Sequence, residues 1–236
     1  VLQQVIERYT KLGLTPVVAS EMEFHLLEID RDQFGRPQHT QRAIDGSPAL
    51  GGATYGIEAM REIAPLMDAI SSATNLQNLP VDTLISEFGA SQCEINLHHQ
   101  NSALRACDQA SMLRRAIRAV AQQQGKQASF MAKPFAGEVG NGMHVHFSLL
   151  DSMGNNVFDN GTPEGSDILQ HAVAGCLENM ADSIAIFAPN INSYRRLVAG
   201  CYAPTSPTWG YENRTTALRI LAGEGHAMRI EHRVAG

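Results

Sequence analysis

Lysine is nearly absent. Only Lys11, Lys126 and Lys133 carry an ammonium group among eighteen basic residues; the other fifteen are arginine. The net charge is −6 and no basic stripe runs along the chain, which excludes a partner held by its phosphate backbone, so no nucleic acid is expected. Cysteine is scarce too. Cys93, Cys107, Cys176 and Cys201 form no C-x-x-C pair and sit in apolar surroundings, the pattern of reduced buried thiols rather than of a disulfide frame or thiolate metal site. No apolar run reaches the ~18 residues of a membrane span, and no signal-peptide pattern opens the chain; a cytoplasmic protein is expected. The motif G-x-x-x-x-G-K-[ST] is also missing, which excludes a P-loop. There is no internal repeat, low-complexity tract or linker, and 236 residues suffice for one large domain or two small ones with a substantial core.

What is present is a set of strands with polar faces of one kind. In Val139–Leu150 a glycine-bracketed turn (Gly140, Asn141, Gly142) leads into an alternating run. His144, His146 and Ser148 share one face, and Val145, Phe147 and Leu149 the other. The stretch 17–29 puts Glu21, Glu23 and His25 on one face. A run ending in Glu87 follows, then 92–98 with Gln92, Glu94, Asn96 and His98, and finally 228–234 with Arg229, Glu231 and Arg233. Between these lie helical patterns at 1–12, 57–73, 102–124 (capped by Ser102, stopped by Gly125) and 166–187, read as one long helix. Strands are also expected at 126–133 and 214–221, with unpatterned stretches at 30–56 and 190–213 and a flexible connection at 222–227. Strands and long helices without strict βαβ alternation give an α+β fold with a mainly antiparallel sheet.

Each polar motif alone is commonplace. An E-x-E on a strand is usually a solvated face, H-x-H is a surface pair or a zinc site, and R-x-E-x-R is a surface ion ladder of little worth. Together they are not. Five carboxylates converging on one pocket repel and raise one another's pKa, and divalent cations remove that repulsion. Hard oxygen donors with an imidazole suit Mg²⁺ or Mn²⁺, two or three ions in all, and oxygens outnumbering nitrogens disfavour zinc. Six arginines between Arg195 and Arg233 add planar donors for phosphate or carboxylate. Phosphoryl transfer needs little beyond such positioning and charge neutralisation.

The motifs SEMEF, EFGASQCEIN, GNGMHVHFSL, PNINSYRRL, APTSPTWGYENRTTALRI and RIEHRVAG, in this order and spanning nearly the whole chain, resemble the catalytic domain of the glutamine synthetase family. The resemblance implies a curved, mainly antiparallel sheet lining a funnel-shaped site and flanked by helices. It also implies that 1–236 is the catalytic domain without the family's small N-terminal domain and C-terminal helices, inactive alone and completed in a homo-oligomeric ring. By resemblance, Glu23, Glu87 and Glu94 hold one metal ion, and Glu21, His144 and Glu231 the other. Gly140, Arg196 and Arg233 meet glutamate, Arg214 and Arg219 stabilise the transferred phosphoryl group, and His146, Ser148 and Arg229 face the nucleotide. The implied reaction uses ATP to make a γ-glutamyl phosphate that an amine attacks.

Two departures bear on the amine. After Arg196-Leu197 the chain reads VAGCYAP, with Tyr202 where ammonia-using members carry an acid that helps deprotonate ammonium, and Val139 replaces an asparagine. A neutral side chain cannot act as that base at pH 7. The wording resembles the branch that joins glutamate to putrescine, other polyamines or monoamines. An ammonia-using glutamine synthetase and a non-catalytic structural relative are the alternatives.

Overall fold

The structure, a computed structural model, describes residues 1–236 apart from Ala53, Tyr55, Glu224 and the side chain of His226. The first two fall in the stretch 30–56, the others in the 222–227 connection. The elements run α1 (Leu2–Lys11), β1 (Thr15–Glu28), α2 (Ile57–Leu76), β2 (Val81–Ser86), β3 (Gln92–Leu97), α3 (Ala103–Gln123), β4 (Lys126–Ser129) and β5 (Met143–Leu150). Then come α4 (Asp167–Glu178), α5 (Met180–Phe187), α6 (Ile191–Arg196), β6 (Trp209–Tyr211), β7 (Leu218–Leu221) and β8 (Arg229–His232). Among the described residues no helix is long and apolar enough to cross a membrane.

The strands form one open eight-stranded sheet in the order β2-β3-β1-β5-β8-β7-β6, with β4 beside β1. Every pairing is antiparallel except β6 with β7. β1 is the spine. One of its edges takes β3, and the other takes β5 along its first half and β4 along its last four residues. At the seam between β5 and β4 the Glu23 amide donates to the Gly142 carbonyl at 3.0 Å.

The alternation read from the sequence decides which face is core. Met22, Phe24 and Leu26 of β1 and Cys93, Ile95 and Leu97 of β3 pack on Leu66, Met67 and Ile70 of α2 and Leu113, Ile117 and Val120 of α3. A second cluster joins Leu149, Leu218, Ile220 and Ile230 of the sheet to Leu169 and Val173 of α4 and to Phe158. Each such fully buried side chain contributes roughly 1.5–3 kcal/mol. The opposite face is thereby left to the polar residues.

The departures from expectation have local polar causes. The helix expected over 166–187 breaks at Asn179, whose side-chain amide donates to the Gly175 carbonyl at 2.8 Å and competes with the helix ladder. The strand expected over 126–133 stops at Ser129, because the Asn141 amide takes the carbonyls of Ser129 and Met131. The strand expected from 214 starts at Leu218, since the Asn213 carboxamide oxygen accepts from the Thr215 amide and hydroxyl in a turn. The stretch 190–213 holds α6, capped by Asn190, and the short strand β6.

Candidate active site

Register brings the polar residues into rows. Glu21 lies opposite Asn96 on β3 and His144 on β5; Glu23 lies opposite Glu94. His146 faces Glu231, and Glu231 faces Arg219. Like charges directly across a strand pair destabilise a sheet, so the Glu23–Glu94 pairing costs stability unless something neutralises it.

The imidazoles tie the rows together. His144 Nδ1 lies 2.5 Å from Glu21 Oε1 and 3.2 Å from Glu231 Oε1. Arg229 Nε donates to His146 Nδ1 at 3.2 Å, so His146 carries its proton on Nε2 and donates to Glu21 Oε2, also at 3.2 Å. Glu231 is 1% exposed and lies beside Arg233 Nη1 through Oε1 and Arg219 Nη1, at 3.3 Å, through Oε2. Glu212 fixes the other end of Arg219 at 2.8 Å.

Charge splits the carboxylates into two kinds. Burial disfavours the ions, but His144 and His146 outweigh it for Glu21 and hold that group well below the usual carboxylate range. Glu231 is likewise buried, yet His144 and Arg233 draw it down to about 2. Glu94 goes the other way. Burial, the charges of Glu21 and Glu23 and a hydrogen bond to Glu21 push it up to about 10. Burial and Glu23 raise Glu87 to about 7, with Arg214 acting against them. His144 is buried, which opposes protonation, but Glu21 and Glu231 lift it to about 9.

This donor set fits divalent cations. It is rich in carboxylate oxygen, contains imidazole, and in their absence must take up protons to relieve its own repulsion. Among the described residues, two trios have ligand atoms within 4.8 Å of one another: Glu21, His146 and Glu231, and Glu21, Glu23 and His144. A cavity of about 1060 Å³ opens elsewhere, walled by Phe130, Met131, Ile186 and Phe187, and touches the set only at Glu23. Among the described residues it offers no second acid.

A family model described as glutamine synthetase, catalytic domain, matches residues 1–236. The chain belongs to the glutamine synthetase family. It is 39% identical over 236 residues to the gamma-glutamylputrescine synthetase PuuA of Escherichia coli (strain K12), covering all of this chain and 50% of that protein. It is 31% identical to the glutamate–isopropylamine ligase of a Pseudomonas species, over 242 residues and 51% of that protein's length. With the glutamine synthetase of Thermococcus kodakarensis the identity is 35% over 233 residues, 99% of this chain and 49% of that one. A solved structure titled GmaS/ADP complex superposes with a TM-score of 0.84 at 26% identity, covering 99% of this chain and 53% of its own. The chain thus spans about half the length of these relatives.

Within this glutamine synthetase domain His144 contacts both Glu21 and Glu231. The two close trios, however, are Glu21 with His146 and Glu231 and Glu21 with Glu23 and His144, neither of them the set the resemblance implied. Glu23 lies opposite Glu94 and its charge also acts on Glu87, but the close trio that holds Glu23 is completed by Glu21 and His144. His146, expected on the nucleotide side, stands in one of the two close trios. Ser148 is buried opposite Val17, and none of the described hydrogen bonds joins it to the cluster. Arg196 is 3% exposed and donates to the carbonyls of Arg233 and Val234. Gly140 accepts no side chain, because a Cβ would stand 2.1 Å from the Ala132 carbonyl oxygen. Sequence reasoning missed Glu212, the partner of Arg219, and the buried amides of Gln92 and Asn141. Gln92 shares the polar face with Glu94, and Asn141 sits between two glycines; those placements were the available signals.

Proposed function

We propose that the protein is an ATP-dependent ligase that joins the γ-carboxylate of glutamate to an amine through a γ-glutamyl phosphate. The observation that carries this reading is the junction of Glu21, His144 and Glu231 at contact distance, flanked by Arg219 and Arg233. In this reading Glu21, His144 and Glu231 hold one Mg²⁺ or Mn²⁺ ion, and Glu23, Glu87 and Glu94 another. When bound, such ions neutralise the acids and polarise phosphate oxygens. The chain's own groups do the rest. Arg214 and Arg219 stabilise charge on the transferred phosphoryl group. Arg196, Arg233 and the Gly140 backbone orient glutamate, and Arg229, His146 and Ser148 face the nucleotide.

The acceptor in this reading is an amine with an alkyl body, putrescine or another polyamine or monoamine. Tyr202 packs on Phe88 with ring centroids 5.3 Å apart, and Phe88 directly follows Glu87. Aromatic faces offer apolar contact to the methylene chain of an alkylammonium ion, which bare ammonium lacks. The names of the Escherichia coli and Pseudomonas relatives are in keeping with this. Residues 1–236 form the catalytic domain of a longer protein that works as a homo-oligomeric ring. The test is ATP hydrolysis by the intact protein with glutamate and either putrescine or ammonium. Putrescine is expected to support the faster turnover. Equal or faster turnover with ammonium moves the assignment to an ammonia-using glutamine synthetase, and no glutamate-dependent turnover with any amine overturns the ligase.

A further inference from the structure

We infer that Gln92 is a positioning residue that couples the carboxylate of Glu23 to the backbone turn at Gly140–Gly142. Gln92 lies on β3, two residues before Glu94, and is 3% exposed. Its carboxamide oxygen accepts the Gly89 amide at 2.9 Å, which fixes the orientation of the group and turns the nitrogen toward acceptors. That nitrogen has two hydrogens and three acceptors: the Gly140 carbonyl at 2.9 Å, Glu23 Oε2 at 3.2 Å and Asn141 Oδ1 at 3.3 Å. One hydrogen therefore goes to Gly140, and the other is divided between Glu23 and Asn141.

The parts it connects are themselves hydrogen-bonded to one another and to the turn. Glu23 Oε2 also accepts the Gly142 amide at 2.7 Å, while the Glu23 amide donates to the Gly142 carbonyl. Both donors, the Gln92 side-chain amide and the Gly142 backbone amide, fall on the same oxygen, so Oε1 is the one left to meet a cation. Asn141, 2% exposed, anchors the turn from below: its Oδ1 accepts from His25 Nδ1 at 2.7 Å and its amide holds the carbonyls of Met131 and Ser129. Space enforces the arrangement. A Cβ on Gly89 would stand 2.8 Å from both the Gln92 oxygen and His25 Nε2, and one on Gly142 would stand 2.6 Å from Arg196 Nη2. A shift of the Gln92 amide therefore moves the proposed metal-binding carboxylate and the proposed glutamate-binding backbone together. Buried hydrogen-bond partners of metal ligands commonly change affinity 10–100-fold when removed.

This inference rests on the ligase reading for its substrate half, while its metal half can be tested without turnover. Two variants of the intact protein are compared with wild type. Q92M keeps the volume and loses every polar contact; Q92E keeps the acceptor for Gly89 and puts an oxygen where Glu23 and Gly140 need a donor. Mn²⁺ affinity, followed by electron paramagnetic resonance with no substrate present, is expected to fall about 10–100-fold in both, and further in Q92E. The KM for glutamate is expected to rise about tenfold or more, with the KM for the amine changed less than twofold. A residue needed only for folding would lower the melting temperature and the yield of active enzyme, with Mn²⁺ affinity and the glutamate KM unchanged; that result overturns the inference. If Q92M does not fold, Q92E decides by the same readouts. If wild type binds Mn²⁺ yet forms no γ-glutamyl amide, the ligase reading fails, and the Mn²⁺ comparison still decides on Gln92.

Discussion

Loading the acid cluster with a cation should expel protons, and their number follows from the shifted proton affinities of its groups. At pH 7, Glu94, raised to about 10, and His144, raised to about 9, hold their protons, while Glu87, at about 7, is half protonated. Ions that take these three groups as ligands must displace roughly two to three protons per protein at pH 7, because carboxylate and neutral imidazole are the coordinating forms. Titration calorimetry with Mn²⁺ in two buffers of different ionisation enthalpy measures that number directly. The metal-free protein supplies a second reading. A carboxyl group whose folded pKa is raised binds more protons when native than when unfolded, so its stabilisation is complete below about 4.5 and lost as pH climbs through 7 for Glu87 and 10 for Glu94. His144 adds the same trend between 6.5 and 9. Glu231 acts oppositely and lower down: its contribution is present above 4.5 and lost as pH falls toward 2. The melting temperature of metal-free protein should therefore decline from pH 6 to pH 9, and saturating Mn²⁺ should remove the decline. Proton release near zero at pH 7, or a metal-free melting temperature that rises across this range, would refute the reasoning.

Other outcomes follow from the same contacts. Glu231→Gln removes a buried charge that faces Arg219, Arg233 and His144; it should cost about 3 kcal/mol of stability and weaken Mn²⁺ and ATP binding without unfolding the domain, measured by chemical denaturation and calorimetry. Unchanged ATP affinity in both this variant and Glu21→Gln contradicts the metal assignment. Tyr202→Glu replaces an aromatic face against Phe88 with an acid; the ratio of kcat/KM for ammonium to that for putrescine should rise at least tenfold, about 1.4 kcal/mol of discrimination. No change in that ratio removes Tyr202 from acceptor selection.

Much of this was legible because strands and helices print different periods. The alternation in β1, β3 and β5 separated Met22, Phe24 and Ile95 from Glu21, Glu23 and Glu94, and the structure buries the first set against helices α2 and α3. Family resemblance then ordered the acids into a site. What alternation does not carry is where a side-chain amide overrides the backbone: Asn179 splits a helix, Asn141 ends β4, and Asn213 delays β7. Nor does it encode partnership across the sheet. The Arg219–Glu212 ion pair and the Gln92–Glu23 hydrogen bond join residues 7 and 69 positions apart, and only the folded register brings them together. His146 shows the same limit, since its place beside Glu21 comes from the pairing of β5 with β1 rather than from its own segment.

The most direct test follows an oxygen atom. Glutamate labelled with heavy oxygen in its γ-carboxylate is given to the intact protein with ATP, Mg²⁺ and putrescine, and the inorganic phosphate formed is analysed by mass spectrometry. Attack of the γ-carboxylate on ATP, followed by attack of the amine on the acyl phosphate, leaves one labelled oxygen in each phosphate produced. Phosphate released in an amine-dependent reaction without that label would contradict the γ-glutamyl phosphate.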